Sequence, residues 1–245
     1  MKLAEAPKIA VVLTATITPS VEIPNLMVRD SNERLAEYVR SVRWWSKLAS
    51  KDNFDLFVFE NSGHASDLSI FESERVSIVS VPIQESESVK RGKGAGESFM
   101  LRLSSEVLSD YALILKCTGR LQVINATDLI SRHLSFPTAE VMISWDATLD
   151  KVDTRCFSVR PAFLRTWMSA IEHHVSDERG CDLESQSARW LMAQIIAGTQ
   201  MVDFPRSPAI VGRSASEGVS YSRRKARARM LIESFVRGRL KTDPR

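Results

Sequence analysis

Tyr111-Ala-Leu-Ile-Leu115, followed at once by Lys116-Cys-Thr-Gly-Arg120, is the stretch that decides the fold. A short run without polar residues reads as a strand buried on both faces, and a Thr-Gly turn set between two cations reads as its end. Runs of the same kind recur at Ile9–Thr14, Asp55–Phe59, Val76–Val81, Val141–Trp145 and Cys156–Val159. Helical patterns separate several of them. From Glu33 to Ser50, Leu35, Tyr38, Val42, Trp45 and Leu48 recur at three- and four-residue steps. Met100, Leu103 and Val107 share a face after a glycine-rich loop, Pro161 starts another helix, and Leu183, Leu191 and Ile195 line one side of residues 182–197. Strands alternating with helices predict an α/β domain with a mostly parallel central sheet flanked by helices.

Such sheets gather ligands at the carboxyl ends of their strands. The polar and glycine-rich clusters fall there: Thr14 to Thr16, Asn61 to Gly63, Lys116 to Arg120, and Asp146. That coincidence outweighs any single motif.

Composition narrows the function classes. The chain has 245 residues, 44% hydrophobic and 26% charged, near the globular average, which excludes wholesale disorder and fibrous proteins. Its formal charge of +3 is unevenly spread. From Tyr221 to Arg245 stand nine Lys/Arg and two acids, a balance of +7, which leaves −4 for the rest. A mildly acidic body argues against nucleic acid as a partner. The three cysteines, Cys117, Cys156 and Cys181, form no CxxC pair, and the four histidines form no HExxH, so a reducing cytoplasm fits. Lys2 and Lys8 precede the apolar run at Ile9, but Glu5 and Pro7 interrupt the approach, and the run reads as a first strand rather than a leader.

Arg91-Gly-Lys-Gly-Ala-Gly-Glu-Ser98 carries repeated glycines, two cations and a following helix, a combination that suits phosphate. It has neither Walker A nor GxGxxG spacing, and a solvated surface turn is the plain alternative. Glu97 reads as a favourable acid in the first helical turn. Lys116 and Arg120 around Thr118 suit a diphosphate, or form the polar end of a strand. Asp146 follows an apolar strand, where it serves as a base or ribose contact or merely caps a turn. Asp182 suits a helix N-cap, which leaves Glu184 to point into a cleft. Cys117 reads as a small buried residue rather than a nucleophile. In the tail, Ala228, Leu231, Ile232 and Phe235 make one apolar face on a basic helix. That face lies on an anionic membrane or docks on its own domain, with a nucleic-acid arm third.

In their order these features resemble the GT-A type of nucleotide-sugar glycosyltransferase, particularly small bacterial enzymes that build cell-surface polysaccharide. The likeness rests on Thr14-Ala-Thr16, the Arg34–Trp45 helix, Phe59-Glu-Asn-Ser-Gly63, Arg91 to Glu97, Lys116 to Asn125, and Gly212-Arg-Ser-Ala-Ser216. It implies one GT-A-like, Rossmann-like domain over residues 1–221, with residues 222–245 as a basic C-terminal helix. It implies a nucleoside diphosphate sugar as donor and a glycan or lipid-linked glycan as acceptor, at the inner face of a membrane. Thr14, Thr16 and Asn61 would then meet the nucleotide. Arg91, Lys93, Lys116, Thr118 and Arg120 would surround the diphosphate, and Glu184, ahead of Asp146, would take the acceptor proton if the enzyme inverts. Retaining chemistry would demote both acids. Most GT-A enzymes hold a divalent metal through an Asp-x-Asp motif after the strand that here leads into Lys116. This chain has Lys116-Cys-Thr-Gly-Arg120 instead, so the expected site uses no cofactor, with two cations in place of the metal and a divalent metal held in some other way as the alternative. A nucleotidyltransferase and a non-catalytic scaffold with a decayed donor site are the alternatives.

Overall fold

A computed structural model of the chain describes residues 6–20, 23, 26–81, 91–204, 206–214 and 218–241, with side chains as far as 233. Pro24, Ala215, Ser216 and the side chains of Phe235, Arg237 and Arg239 lie outside the described residues.

The main sheet has seven strands in the order β3-β2-β1-β4-β7-β6-β8. They are β1 (Ile9–Ala15), β2 (Asp55–Glu60), β3 (Val76–Ser80), β4 (Leu113–Thr118), β6 (Val141–Trp145), β7 (Val152–Val159) and β8 (Met201–Val202). β3, β2, β1 and β4 are parallel, and β7 runs antiparallel between β4 and β6. A second sheet, in the order β10-β9-β5, joins β10 (Ser220–Tyr221), β9 (Ile210–Arg213) and β5 (Gln122–Val123) and, like β8, is not disclosed by the sequence pattern. Strands of two to four residues carry too little periodicity to be read.

The helices are α1 (Ser31–Asp52), α2 (Lys93–Val107), α3 (Ala126–Leu134), α4 (Pro161–Ile171), α5 (Leu183–Ile196) and α6 (Arg223–Lys241). Alternation along β1 divides the core between them. Ile9, Val11, Leu13 and Ala15 pack toward Tyr38, Val42, Trp45 and Ala49 of α1. Ala10 and Val12 face the other layer, with Leu101 of α2, Trp167 of α4 and Leu191 of α5. Each helix thus buries one stripe against a sheet that is apolar on both faces, the arrangement that continuous hydrophobic strands require.

One expectation needs correction. The strand opened by Tyr111 does not stop at Leu115; it pairs with β1 as far as Thr118 and with β7 as far as Cys117. Lys116 therefore lies inside the sheet, opposite Val12 and Phe157. Its even place in the alternation puts it on the same face as Ile114, under α2. β7 is likewise longer than Cys156–Val159, because polar Asp153 and Arg155 alternate with buried Val152 and Thr154 in an ordinary half-buried strand.

Candidate active site

β1 and β4 end at a cleft of about 1110 Å³. Its floor includes Thr14, Thr16, Thr118, Arg120, Lys93, Glu97 and Glu184, and its opposite wall includes Arg213, Tyr221, Lys225 and Arg229. Asp146 stands at its edge. Residues more than 160 positions apart in sequence are so brought to one opening.

The loop leaving β1 is held from two sides. Buried Arg34 of α1 donates to the Thr16 carbonyl from Nε at 2.8 Å, and Tyr38 Oη accepts from the Thr16 amide at 2.9 Å. On the other side, fully buried Glu60 accepts the Ile17 amide at 3.1 Å and the Ser62 and His64 amides at 3.0 and 2.8 Å. Thr16 Oγ1 donates to Asn61 Oδ1 at 2.7 Å, which joins the two nucleotide-side candidates, although Asn61 itself does not line the cleft. At the end of β4 the Gly119 amide donates to the Thr14 carbonyl at 2.9 Å. A Cβ on Gly119 would lie 2.6 Å from that carbonyl oxygen, so only glycine lets the two strand ends approach.

The floor is organised by Glu97, which the sequence reading had treated as a helix-end acid. It sits in the second turn of α2, 12% exposed at its side chain. Its Oε1 accepts from Thr14 Oγ1 at 3.1 Å and from Lys116 Nζ at 2.5 Å. Burial resists ionisation of this carboxyl, but Lys116, Lys93 and the two hydrogen bonds outweigh it and hold Glu97 below its ordinary pKa. The signal for Glu97 was Lys116: a lysine on the covered face of a strand needs a carboxylate from the covering helix.

Lys116 is correspondingly not at the cleft surface. It is fully buried, and its ammonium also donates to the Thr154 carbonyl at 2.5 Å. Both bonds follow from its place within β4 rather than after it, and they turn it away from the diphosphate position expected of it. Arg91 is corrected for a similar reason. Its guanidinium donates to the carbonyls of Glu172 and Val175 at 2.7 and 3.3 Å and fastens the start of α2 to the end of α4. The glycine-rich loop between is held by Asp177, whose Oδ2 accepts the Gly94 amide at 3.4 Å, while Gly92 takes a φ of 110°. Lys93 does line the cleft, as do Thr118 and Arg120. Arg120 is buried and donates to Glu37 of α1 at 2.5 Å.

Of the two acids, Asp146 caps a turn. Its Oδ2 accepts from Thr148 Oγ1 at 2.9 Å and its Oδ1 from the Lys151 amide at 3.2 Å. Desolvation pushes against its ionisation, and the hydrogen bonds from Thr148 and the turn's amides together outweigh it, so its pKa is lowered. Asp182 is the N-cap of α5, accepting the Ser185 amide at 2.7 Å, and this leaves Glu184 turned to the floor. Thr154 Oγ1 donates to Glu184 Oε1 at 2.8 Å. Thr154, buried and absent from the sequence reading, thus ties Glu184 to Lys116 and through it to Glu97. Burial pushes the Cys117 thiol up to about 12, which removes it as a nucleophile. Among the described residues, no three His, Cys, Asp or Glu side chains cluster to hold a metal ion.

No protein-family model matches the chain, and no curated protein matches it in sequence. Solved structures do match. A protein assigned as a nucleotide-diphospho-sugar transferase from Desulfovibrio desulfuricans G20 superposes with a TM-score of 0.51 over 81% of this chain and 80% of its own, at 8% identity. The fold is of the GT-A type. A glycosyltransferase involved in glycosylating the major capsid of PBCV-1 matches with a TM-score of 0.48 at 12% identity, covering 81% of this chain and 82% of its own. A 4-diphosphocytidyl-2C-methyl-D-erythritol synthase from Anaerococcus prevotii DSM 20548 reaches 0.44 at 7% identity, over 94% and 99% of the two chains. The end of β4 leads through Thr118-Gly119-Arg120, with no acid among them.

Proposed function

We propose that this chain transfers a glycosyl group from a nucleoside diphosphate sugar to a hydroxyl of a growing cell-surface glycan, free or lipid-linked. The observation that carries the reading is the Glu184 carboxylate, fixed by Thr154 at the floor of a cleft at the strand ends, with cations and hydroxyls beside it. In the inverting form of the reaction the acceptor oxygen attacks the anomeric carbon and its proton passes to Glu184. The bond from that carbon to the diphosphate oxygen breaks, and the nucleoside diphosphate leaves with the electron pair. Thr14 and Thr16 position the nucleotide, with Asn61 acting indirectly by holding the Thr16 hydroxyl and the loop around them braced by Arg34 and Glu60. Lys93, Arg120 and Thr118 meet the diphosphate and stabilise the charge that grows on it. In this reading these cations stand in for the divalent metal of an Asp-x-Asp site. Lys116 acts indirectly, by keeping Glu97 ionised beside Thr14 and by anchoring the Thr154 that orients Glu184. Arg91 shapes the loop that presents Lys93. The domain spans residues 1–221 and works in the cytoplasm, with α6 as an appended basic helix.

The test is a thermal-shift panel of nucleoside diphosphates, nucleotide sugars and nucleoside triphosphates in excess EDTA, followed by an assay for released nucleoside diphosphate. Stabilisation by one nucleotide sugar with slow diphosphate release supports transfer. Selective stabilisation by a triphosphate would favour nucleotidyl transfer. Binding that vanishes in EDTA and returns with Mn²⁺ would overturn the role given to the cations, and silence throughout would leave a scaffold.

A further inference from the structure

An α-helix returns to the same side every 3.6 residues, so α6 can be divided into faces. The face toward the domain carries Ala226, which is buried, and Glu233, whose carboxylate accepts the Ser207 amide at 3.1 Å. On the opposite face, at steps of three and four, come Ala228, Leu231 and Ile232. Leu231 is 72% exposed and Ile232 63%. The sequence had allowed this stripe to pack on its own domain. Instead the helix docks through its other side and leaves the apolar stripe in water. Exposed Arg223, Arg224 and Arg227 stand on the same helix, as does Lys225 at the cleft rim, while Arg229 turns back to Glu233 and Ser207; Glu233 is the single acid of the segment 223–233.

We propose that this outer face of α6 docks on an anionic lipid surface. Two adjacent exposed aliphatic side chains on a helix with several exposed cations offer shallow apolar insertion and attraction to anionic headgroups together, the pair of signals that stable surface binding needs. Charge decides against the other occupants. A second copy of the chain would bring like-charged helices together across a two-fold contact. A nucleic acid would meet the cations but leave Leu231 and Ile232 without a partner, and the body of −4 would oppose it. Among the described residues no helix is long and apolar enough to cross a membrane, so the contact is peripheral. The same helix lines the cleft through Lys225, Ala226 and Arg229. With its outer face on lipid, α6 sets the cleft beside the bilayer, where a lipid-linked acceptor would be presented. This last step rests on the transfer reading; the docking itself does not.

The experiment is co-sedimentation of the full chain with vesicles of phosphatidylglycerol or of phosphatidylcholine at low salt. The chain should pellet with the anionic vesicles alone. Leu231→Ser with Ile232→Ser should lower partitioning at least tenfold, and Arg223→Gln with Arg224→Gln and Arg227→Gln on the order of a hundredfold, at unchanged melting temperature. A full chain that stays in solution with phosphatidylglycerol vesicles overturns the proposal, and so does binding indifferent to the Leu231 and Ile232 changes. If those changes turn a dimer into a monomer while the full chain ignores vesicles, the face is a self-contact instead. Nucleotide-sugar binding, measured separately, fails or succeeds without regard to these outcomes.

Discussion

Lys116 lies beneath the floor of the cleft and Lys225 on its opposite wall, and water treats them differently. Lys116 is shut away beneath the floor, held by Glu97 and the Thr154 carbonyl. Lys225 stands exposed on the rim, near the start of a helix whose first turn carries no acid. A charge inside a sheet survives only with a partner, because desolvating it alone costs several kcal/mol. A charge on the rim keeps its hydration and stays available to a ligand or a surface. Lys116 therefore serves internal order, and Lys225 keeps its charge for contacts.

That contrast predicts where substitutions hurt. The largest effect is expected at Glu184, where Glu184→Gln should lower kcat by about 10²–10⁴ and leave donor affinity nearly intact. Asp146→Asn, which loosens a turn, and Arg229→Ala on the rim should each change kcat far less. Single-turnover kinetics giving either of them an equal loss would erase the distinction between floor and rim. Next comes Lys116→Met, which strands Glu97 beside Thr14. Breaking a largely buried pair in this way costs about 3–5 kcal/mol, a fall of roughly 10 °C in melting temperature for a chain of this size. Adding Glu97→Gln should restore most of it, and a double variant no more stable than the single one would show that the pair is not coupled.

The acid limb of the stability curve gives a smaller signal. Glu97 is held below its unfolded value, so its contribution is present above about pH 4.3, the ordinary glutamate range, and is lost as pH falls through the lowered folded value. Chemical denaturation from pH 6 to pH 3 should therefore show a shallower decline for Glu97→Gln than for the unaltered chain; parallel curves would mean that Glu97 is not held ionised. The smallest effect is expected on the rim. Leu231→Ser with Ile232→Ser should move unfolding free energy by no more than about 0.5 kcal/mol per site, since both side chains already face water. A larger loss would reveal packing on the domain.

The elements were largely legible because their causes are local. Continuous apolar runs such as Ile9–Thr14 and 3.6-residue stripes such as Tyr38, Val42 and Trp45 are recorded in neighbouring positions, and they determine an α/β sandwich with a mostly parallel sheet. The N-cap role of Asp182 was legible for the same reason, since a cap and the amide it accepts are three residues apart. The location of the site at the strand ends follows from topology and was legible too.

What tertiary structure alone decided was which charged groups face the cleft and which face each other. Lys116 and Arg120 look equivalent along the chain, four residues apart around one turn. Yet one lies inside β4, bound to a carboxylate 19 positions earlier, and the other is held by Glu37 from α1 while still lining the cleft. Thr154 has no local signal at all, because its importance is a carbonyl and a hydroxyl aimed at Lys116 and Glu184 from an antiparallel strand. The tail shows the same limit. Its sequence establishes a basic helix with one apolar stripe, but whether that stripe turns inward or outward depends on Ala226 and Glu233 docking from the opposite side. Periodicity records neighbours along the chain; the pairing of charges and the choice of an outward face arise between segments that only folding brings together.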